Sequence, residues 1–404
     1  MPILHGPFRQ IIALWDIPLK GKIQNEQLTV IEQGGVVVED GHIVNIAPFS
    51  SFDIGDYEYH PIEEDMVLIP GLVDCHTHLV WGGSRYQDYT MRTSGRSYQD
   101  ILAAGGGIFD SVRKTQQAES EDLLQNLIRR ADKHLNGGVT TIEVKTGYGL
   151  ETAHELRLLE VIRDAKSVVK ADLVPTCLAA HVCPKGYEPA AFLAYLENEL
   201  LPQVLVRGLS KRVDIFVEDN AFPESLARPY LSAARKLGFE LTVHADQFSV
   251  GGSKLAVEMG AFSADHLEAS GENEIKALAT SDVISVALPG ASLGLGMQFT
   301  PARKLLDAGA SLAIATDWNP GSAPMGDLLV QTSLLGVYEK LTAAELLAGI
   351  TFRAAQALNL KDRGRLAIGE RADMIAFPLK DYREIFYHQG SVKPSLVWKS
   401  GQLT

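Results

Sequence analysis

Residues 71–78 read GLVDCHTH, an apolar run that ends in two histidines one residue apart. A run that stays hydrophobic until its last residues suits a strand buried on both faces. Residues two apart on a strand face the same side, so His76 and His78 point together, while Cys75 between them points away and packs. Seven further runs of this make-up follow. They are VTTIEVK (139–145), DLVPTCLAAH (172–181), RVDIFVED (212–219), ELTVHAD (240–246), FSADHL (262–267), ISVALPG (284–290) and SLAIATD (311–317).

The segments between these runs have helical spacing. Leu123, Leu124, Leu127, Ile128 and Leu135 form an apolar stripe that Ser120 can cap, and Gly137 and Gly138 stop it. The same plan recurs over PESLARPYLSAARKLG and PARKLLDAG, with Gly238 and Gly309 as terminators. Eight strands alternating with helices predict an α/β fold, a (β/α)8 TIM barrel over residues 67–363. Its active site is expected at the C-terminal strand ends. An open doubly wound sheet is the alternative that the pattern alone leaves standing.

The two ends read differently. Residues 1–66 and 364–404 hold short β-branched runs with turn signals, such as the one at Asp40–Gly41. Neither end is large enough for a core of its own. They are expected to pair into one small β-sandwich domain, with the barrel inserted between them.

Composition narrows the partners. Against 37 Lys+Arg stand 50 Asp+Glu, a net charge of −13, which repels nucleic acid and requires a local cation for any anionic substrate. The three cysteines, Cys75, Cys177 and Cys183, are too few for a disulfide framework. No signal-peptide pattern and no run long enough to cross a bilayer is visible, so a soluble cytoplasmic protein without membrane contact is expected.

Of the 11 histidines, His134 and His154 fall in predicted helices, and His5, His42, His60 and His388 lie outside the barrel. His76, His78, His181, His244 and His266 all fall at C-terminal strand ends, and Asp317 takes the same place on strand eight. Neutral imidazoles at ~2.0–2.1 Å suit zinc, and iron accepts them too. His76, His78, His244 and Asp317 are therefore the expected ligands of one metal ion, zinc or iron, which acidifies a bound water. Asp317 can also move the proton from that water to a leaving nitrogen. His266 is placed to hydrogen-bond the polarised carbonyl oxygen or the water. Strand four ends in Glu218 and Asp219, without the lysine that bridges paired ions in related barrels, and Lys145 ends strand two. A single ion is favoured, with Glu218 the residue that could support a second.

At these residues the sequence resembles the amidohydrolase superfamily and, within it, the imidazolonepropionase family. The narrower likeness rests on Arg85 after H-x-H, KTGYGL around Tyr148, LAAH at His181, HADQF, SADHLE and DWNPGS. It implies hydrolysis of 4-imidazolone-5-propanoate to N-formimidoyl-L-glutamate in histidine degradation, and a homodimer. A guanidinium grips a carboxylate through two charged hydrogen bonds, so Arg85 is expected to bind the propionate. Tyr148 and His181 are expected to contact the ring or the carboxylate, and Gln247 to hydrogen-bond the ring. The resemblance also brings Asn319, Gly321 and Ser322 to the substrate and to the product's new carboxylate, where backbone N–H groups could approach an anion. Gln247 replaces the glutamate of guanine and cytosine deaminases, so protonation of the leaving nitrogen falls to Asp317. The rival readings are a deaminase of an aminated heterocycle, a binuclear cyclic-amide hydrolase and a barrel that has lost its chemistry.

Overall fold

Runs that are apolar on both faces have to be covered on both faces, and the chain meets that demand by closing them on themselves. The computed structural model describes residues 1–404, the side chain of Tyr98 excepted. Eight parallel strands pair in chain order: Leu72–Asp74, Val139–Lys145, Asp172–Ala180, Arg212–Ile215, Glu240–Ala245, Ser263–His266, Ile284–Ala287 and Ser311–Ile314. The first and last meet just past their C-terminal ends. Asp317 N–H donates to the His76 carbonyl (2.9 Å) and His78 N–H to the Trp318 carbonyl (3.0 Å). Asp74 adds to the closure, accepting from the Thr316 N–H (3.1 Å) and hydroxyl (2.5 Å). The sheet is a barrel, not an open one.

Helices cover the outside. Ser120–Asn136 buries Leu123, Leu127, Ala131, His134 and Leu135 against it. Ser120 does not cap this helix: it is already the first helical residue, and Glu119 holds the extended cap position. Cys75 packs among Val73, Ile284, Val286 and Ala313, as its strand parity requires. Between the first strand and its helix lie three short helices, Tyr86–Thr93, Tyr98–Ala103 and Ile108–Gln117, and Arg85 stands at their start.

The two chain ends share one mixed sheet. Val67–Pro70, which leads into the barrel, sits at its middle between Ile3–Ile12 and Met374–Phe377. The sheet curls until its edge strand His42–Pro48 reaches the segment before Met374: Ile43 N–H donates to the Glu370 carbonyl (2.9 Å) and Ala372 N–H to the Gly41 carbonyl (2.9 Å). Phe8, Ile11, Val36, Leu68, Met374 and Trp398 thereby form a core separate from the barrel's. Among the described residues, no helix is long and apolar enough to cross a membrane.

Candidate metal centre and active site

Barrel topology delivers the rim histidines to one place. His76 and His244 approach with ring centroids 4.5 Å apart, and His266 lies 5.3 Å from His244 and 5.7 Å from His76. Asp317 Oδ1 is 3.3 Å from His78 Nε2 and 3.6 Å from His76 Nε2. Ligating atoms group in two overlapping triads, His76–His78–Asp317 and His76–His244–His266, joined through His76. His266 thus stands as near the ring cluster as the expected ligands do.

Hydrogen bonds fix which nitrogen each ring presents. His76 Nδ1 lies 2.6 Å from Asp265 Oδ2, and His244 Nδ1 lies 2.9 Å from Asp214 Oδ2. An Nδ1–H directed at a carboxylate leaves the lone pair on Nε2. Both Nε2 atoms are buried without a hydrogen-bond partner. An unpartnered lone pair in a dry site is costly unless something binds it, and a soft-to-borderline cation fits this donor set.

Electrostatics favour the neutral rings that a cation needs. Burial, helped by Lys145 and the neighbouring imidazoles, holds His76 well below the usual histidine range. Burial with Lys145 brings His78 down to about 3. Burial also lowers His244, with Asp214 opposing it. Asp317 is raised by burial, against the pull of His266 and His244. His266 goes the other way: burial works against its charge, but Glu268 and then Asp317 and Asp265 outweigh it. Its Nδ1 is 3.5 Å from Glu268 Oε2, and Ser292 donates to Glu268 Oε1 at 3.0 Å. His266, Leu267 and Asp317 adopt positive φ (87°, 70° and 49°), a strained backbone at the point where strands six and eight turn outward.

One wall is aromatic. His181 stacks on His78 at 5.3 Å and 16°, and Tyr148 lies 5.6 Å from His181. Burial raises the Tyr148 phenol, keeping it a neutral donor. The loop that carries Tyr148 is clamped by the buried Glu155, whose Oε1 accepts N–H groups of Gly147 (3.2 Å), Gly149 (2.7 Å) and Leu150 (2.8 Å).

A second wall joins Arg85 to the strand-eight loop. Arg85 Nε donates to Asp88 Oδ2 (2.8 Å), and the guanidinium lies against Gly321, where a Cβ would come within 2.1 Å of Nη1. Gly294 makes the same allowance for Ser322, since a Cβ there would meet the Ser322 carbonyl oxygen at 1.6 Å. Asn319 braces the loop from within: Nδ2 donates to the Asp317 carbonyl (2.7 Å), and Oδ1 accepts the N–H groups of Gly321 (2.7 Å) and Ser322 (2.9 Å). Those two N–H groups are therefore not directed at an anion, contrary to the expectation from the short N-P-G-S loop. The Ser322 hydroxyl remains near the centre, 3.5 Å from Asp317 Oδ2.

Gln247 is buried on the strand-five loop. Glu218 holds that loop and belongs to neither triad: its Oε1 accepts from Phe248 N–H (2.8 Å) and Ser249 N–H (3.2 Å), and Oε2 from the Ser249 hydroxyl. Sequence reading missed the layer beneath the rings. Asp214, Asp265, Glu143 and Lys145 are fully buried in the barrel interior. The available signal was a charged residue inside a run otherwise apolar on both faces. His134, on the helix Ser120–Asn136, approaches the first strand, with Nε2 3.1 Å from Asp74 Oδ2.

Closed barrel, rim histidines and carboxylate together define a hydrolase of the amidohydrolase type. The model of the amidohydrolase family matches residues 67–404. The chain is 37% identical over 394 residues to the imidazolonepropionase of Bdellovibrio bacteriovorus, covering 94% of this chain and 91% of that one. It is 40% identical over 383 residues to that of Deinococcus deserti, covering 93% of each. Its fold is similar to a variant of atrazine chlorohydrolase from Arthrobacter aurescens complexed with zinc and atraton (TM-score 0.72, 16% identity, 99% and 94% covered). The chain belongs to the imidazolonepropionase family of amidohydrolases.

Proposed function

We propose that this chain hydrolyses the cyclic amide C–N bond of 4-imidazolone-5-propanoate, giving N-formimidoyl-L-glutamate. The observation that carries this reading is the guanidinium of Arg85 lying on the loop that follows Asp317. It sets a cation able to grip a carboxylate on the same loop as the acid–base group.

His76, His78, His244 and Asp317 would hold one zinc or iron ion, the fit being the two unpartnered Nε2 atoms and the adjacent carboxylate. Such an ion acidifies a water and polarises a carbonyl. Asp317, which burial makes more basic than a free carboxylate, takes a proton from the attacking water. The oxygen adds to the ring carbonyl carbon, the C–N bond breaks, and Asp317 returns the proton to the departing nitrogen. His266, biased toward its charged form, donates to the oxygen that gains negative charge. Tyr148 and His181 form the flat wall for the ring, and Gln247 can hydrogen-bond its nitrogens without donating a catalytic proton. Ser322 faces Asp317, where the new carboxylate emerges, while Asn319 and Gly321 act by holding that loop and admitting Arg85.

Loss of the ultraviolet absorption of imidazolonepropionate, with ammonia measured in the same sample, tests the reading. Turnover without ammonia is expected. Ammonia release from aminated heterocycles, with no turnover of imidazolonepropionate, would instead establish the deaminase. The reading also carries a homodimer, which sedimentation velocity checks.

A further inference from the structure

A fully buried ammonium lies beneath the histidines. Lys145 Nζ is 2.8 Å from Asp214 Oδ2, 2.8 Å from Glu143 Oε1 and 3.6 Å from Asp265 Oδ2. The same Asp214 Oδ2 meets His244 Nδ1, and the same Asp265 Oδ2 meets His76 Nδ1. One cation thus touches both carboxylate oxygens that orient two rings of the centre. Thr176 donates to Glu143 Oε1 at 2.6 Å, and Glu143 touches neither ring.

We infer that Lys145 is a positioning residue which, by tying Asp214 and Asp265 together, fixes the nitrogen that His76 and His244 turn toward the ion. The inference rests on the metal-centre reading of the preceding section. Two carboxylates facing one another in a dry interior repel, and each could rotate its oxygen away from its ring. A positive charge shared between them holds both acceptors on the Nδ1 side, so both rings keep Nδ1–H and offer Nε2. A neutral side chain of the same length would fill the space without supplying that restraint.

Lys145→Met alone leaves Glu143 buried without its ammonium and could unfold the barrel. Lys145→Met combined with Glu143→Gln removes that difficulty, because the amide still accepts from Thr176. Zinc affinity is measured by chelator competition on the metal-stripped parent, on Glu143→Gln and on the double variant, with thermal melting beside it. Glu143→Gln is expected to bind zinc like the parent, and the double variant to melt cooperatively but lower than Glu143→Gln, since Asp214 and Asp265 lose their shared cation, and to bind zinc about 10–100-fold more weakly at a temperature where both are folded. A double variant that binds zinc as tightly as Glu143→Gln overturns the inference. A parent that takes up no zinc overturns the metal centre itself, which is a separate result.

Discussion

Gly321 carries a constraint that a single methyl group breaks. Its missing Cβ is the space that Arg85 occupies, so Gly321→Ala should push the guanidinium off its place. The expected outcome is a KM for imidazolonepropionate raised by about tenfold or more, with kcat changed less, since in the proposed function the lost interaction binds the propionate rather than the reacting bond. An unchanged KM in steady-state kinetics would place the anion grip elsewhere. Asp317→Asn tests the proposed chemistry instead, because an amide could not carry the proton assigned to Asp317. Its kcat should fall by about 10²–10⁴-fold. The rim groups were readable because each ends an apolar run. Asp214 and Asp265 were not, since a charge within such a run reads locally as an interruption, and Lys145, although it ends its run, gave no local sign of the two aspartates across the barrel. Its partners, brought together by barrel closure, lie 69 to 120 residues away, as their numbers show.

The strand-two loop behaves as an element held by one side chain. Glu155 gathers three N–H groups around Tyr148 with a single oxygen. Glu155→Gln keeps an acceptor there and should leave kcat/KM within a few fold of the parent. Glu155→Leu strands the donors in a buried loop, at about 1–3 kcal/mol, and should lower both the melting temperature and kcat/KM. Equal behaviour of the two variants would show that the clamp does not shape the site. The barrel strands were legible in the sequence because burial on both faces leaves so plain a pattern. The three helices between Tyr86 and Gln117 were not: they are short, and TSGR and AAGGG interrupt any apolar stripe. Likewise the DWNPGS motif was recognisable, but not the inward hydrogen bonds of Asn319 that take up its N–H groups.

For the whole molecule, the pairing of the two chain ends was predictable from their size, whereas the curl of their sheet depends on long-range packing that no local pattern records. His5 reports on that unit. It is buried beside Trp398 (5.3 Å), and burial, with His60 adding, lowers it from 6.5 to about 4 while Glu58 opposes. The unfolded chain therefore binds the His5 proton more readily than the folded one. This contribution to stability is complete above pH 6.5 and is lost as pH falls through 4. His5→Phe should flatten the fall of melting temperature between pH 6.5 and 4 relative to the parent; parallel curves would contradict the assignment.

In the proposed function, ring opening depends on one ion held by His76, His78, His244 and Asp317. The most direct measurement is turnover of imidazolonepropionate by metal-stripped protein as zinc is added in known equivalents. Activity should rise from near zero and level off at one ion per chain. A plateau at two equivalents, or full activity before any metal is added, would contradict it.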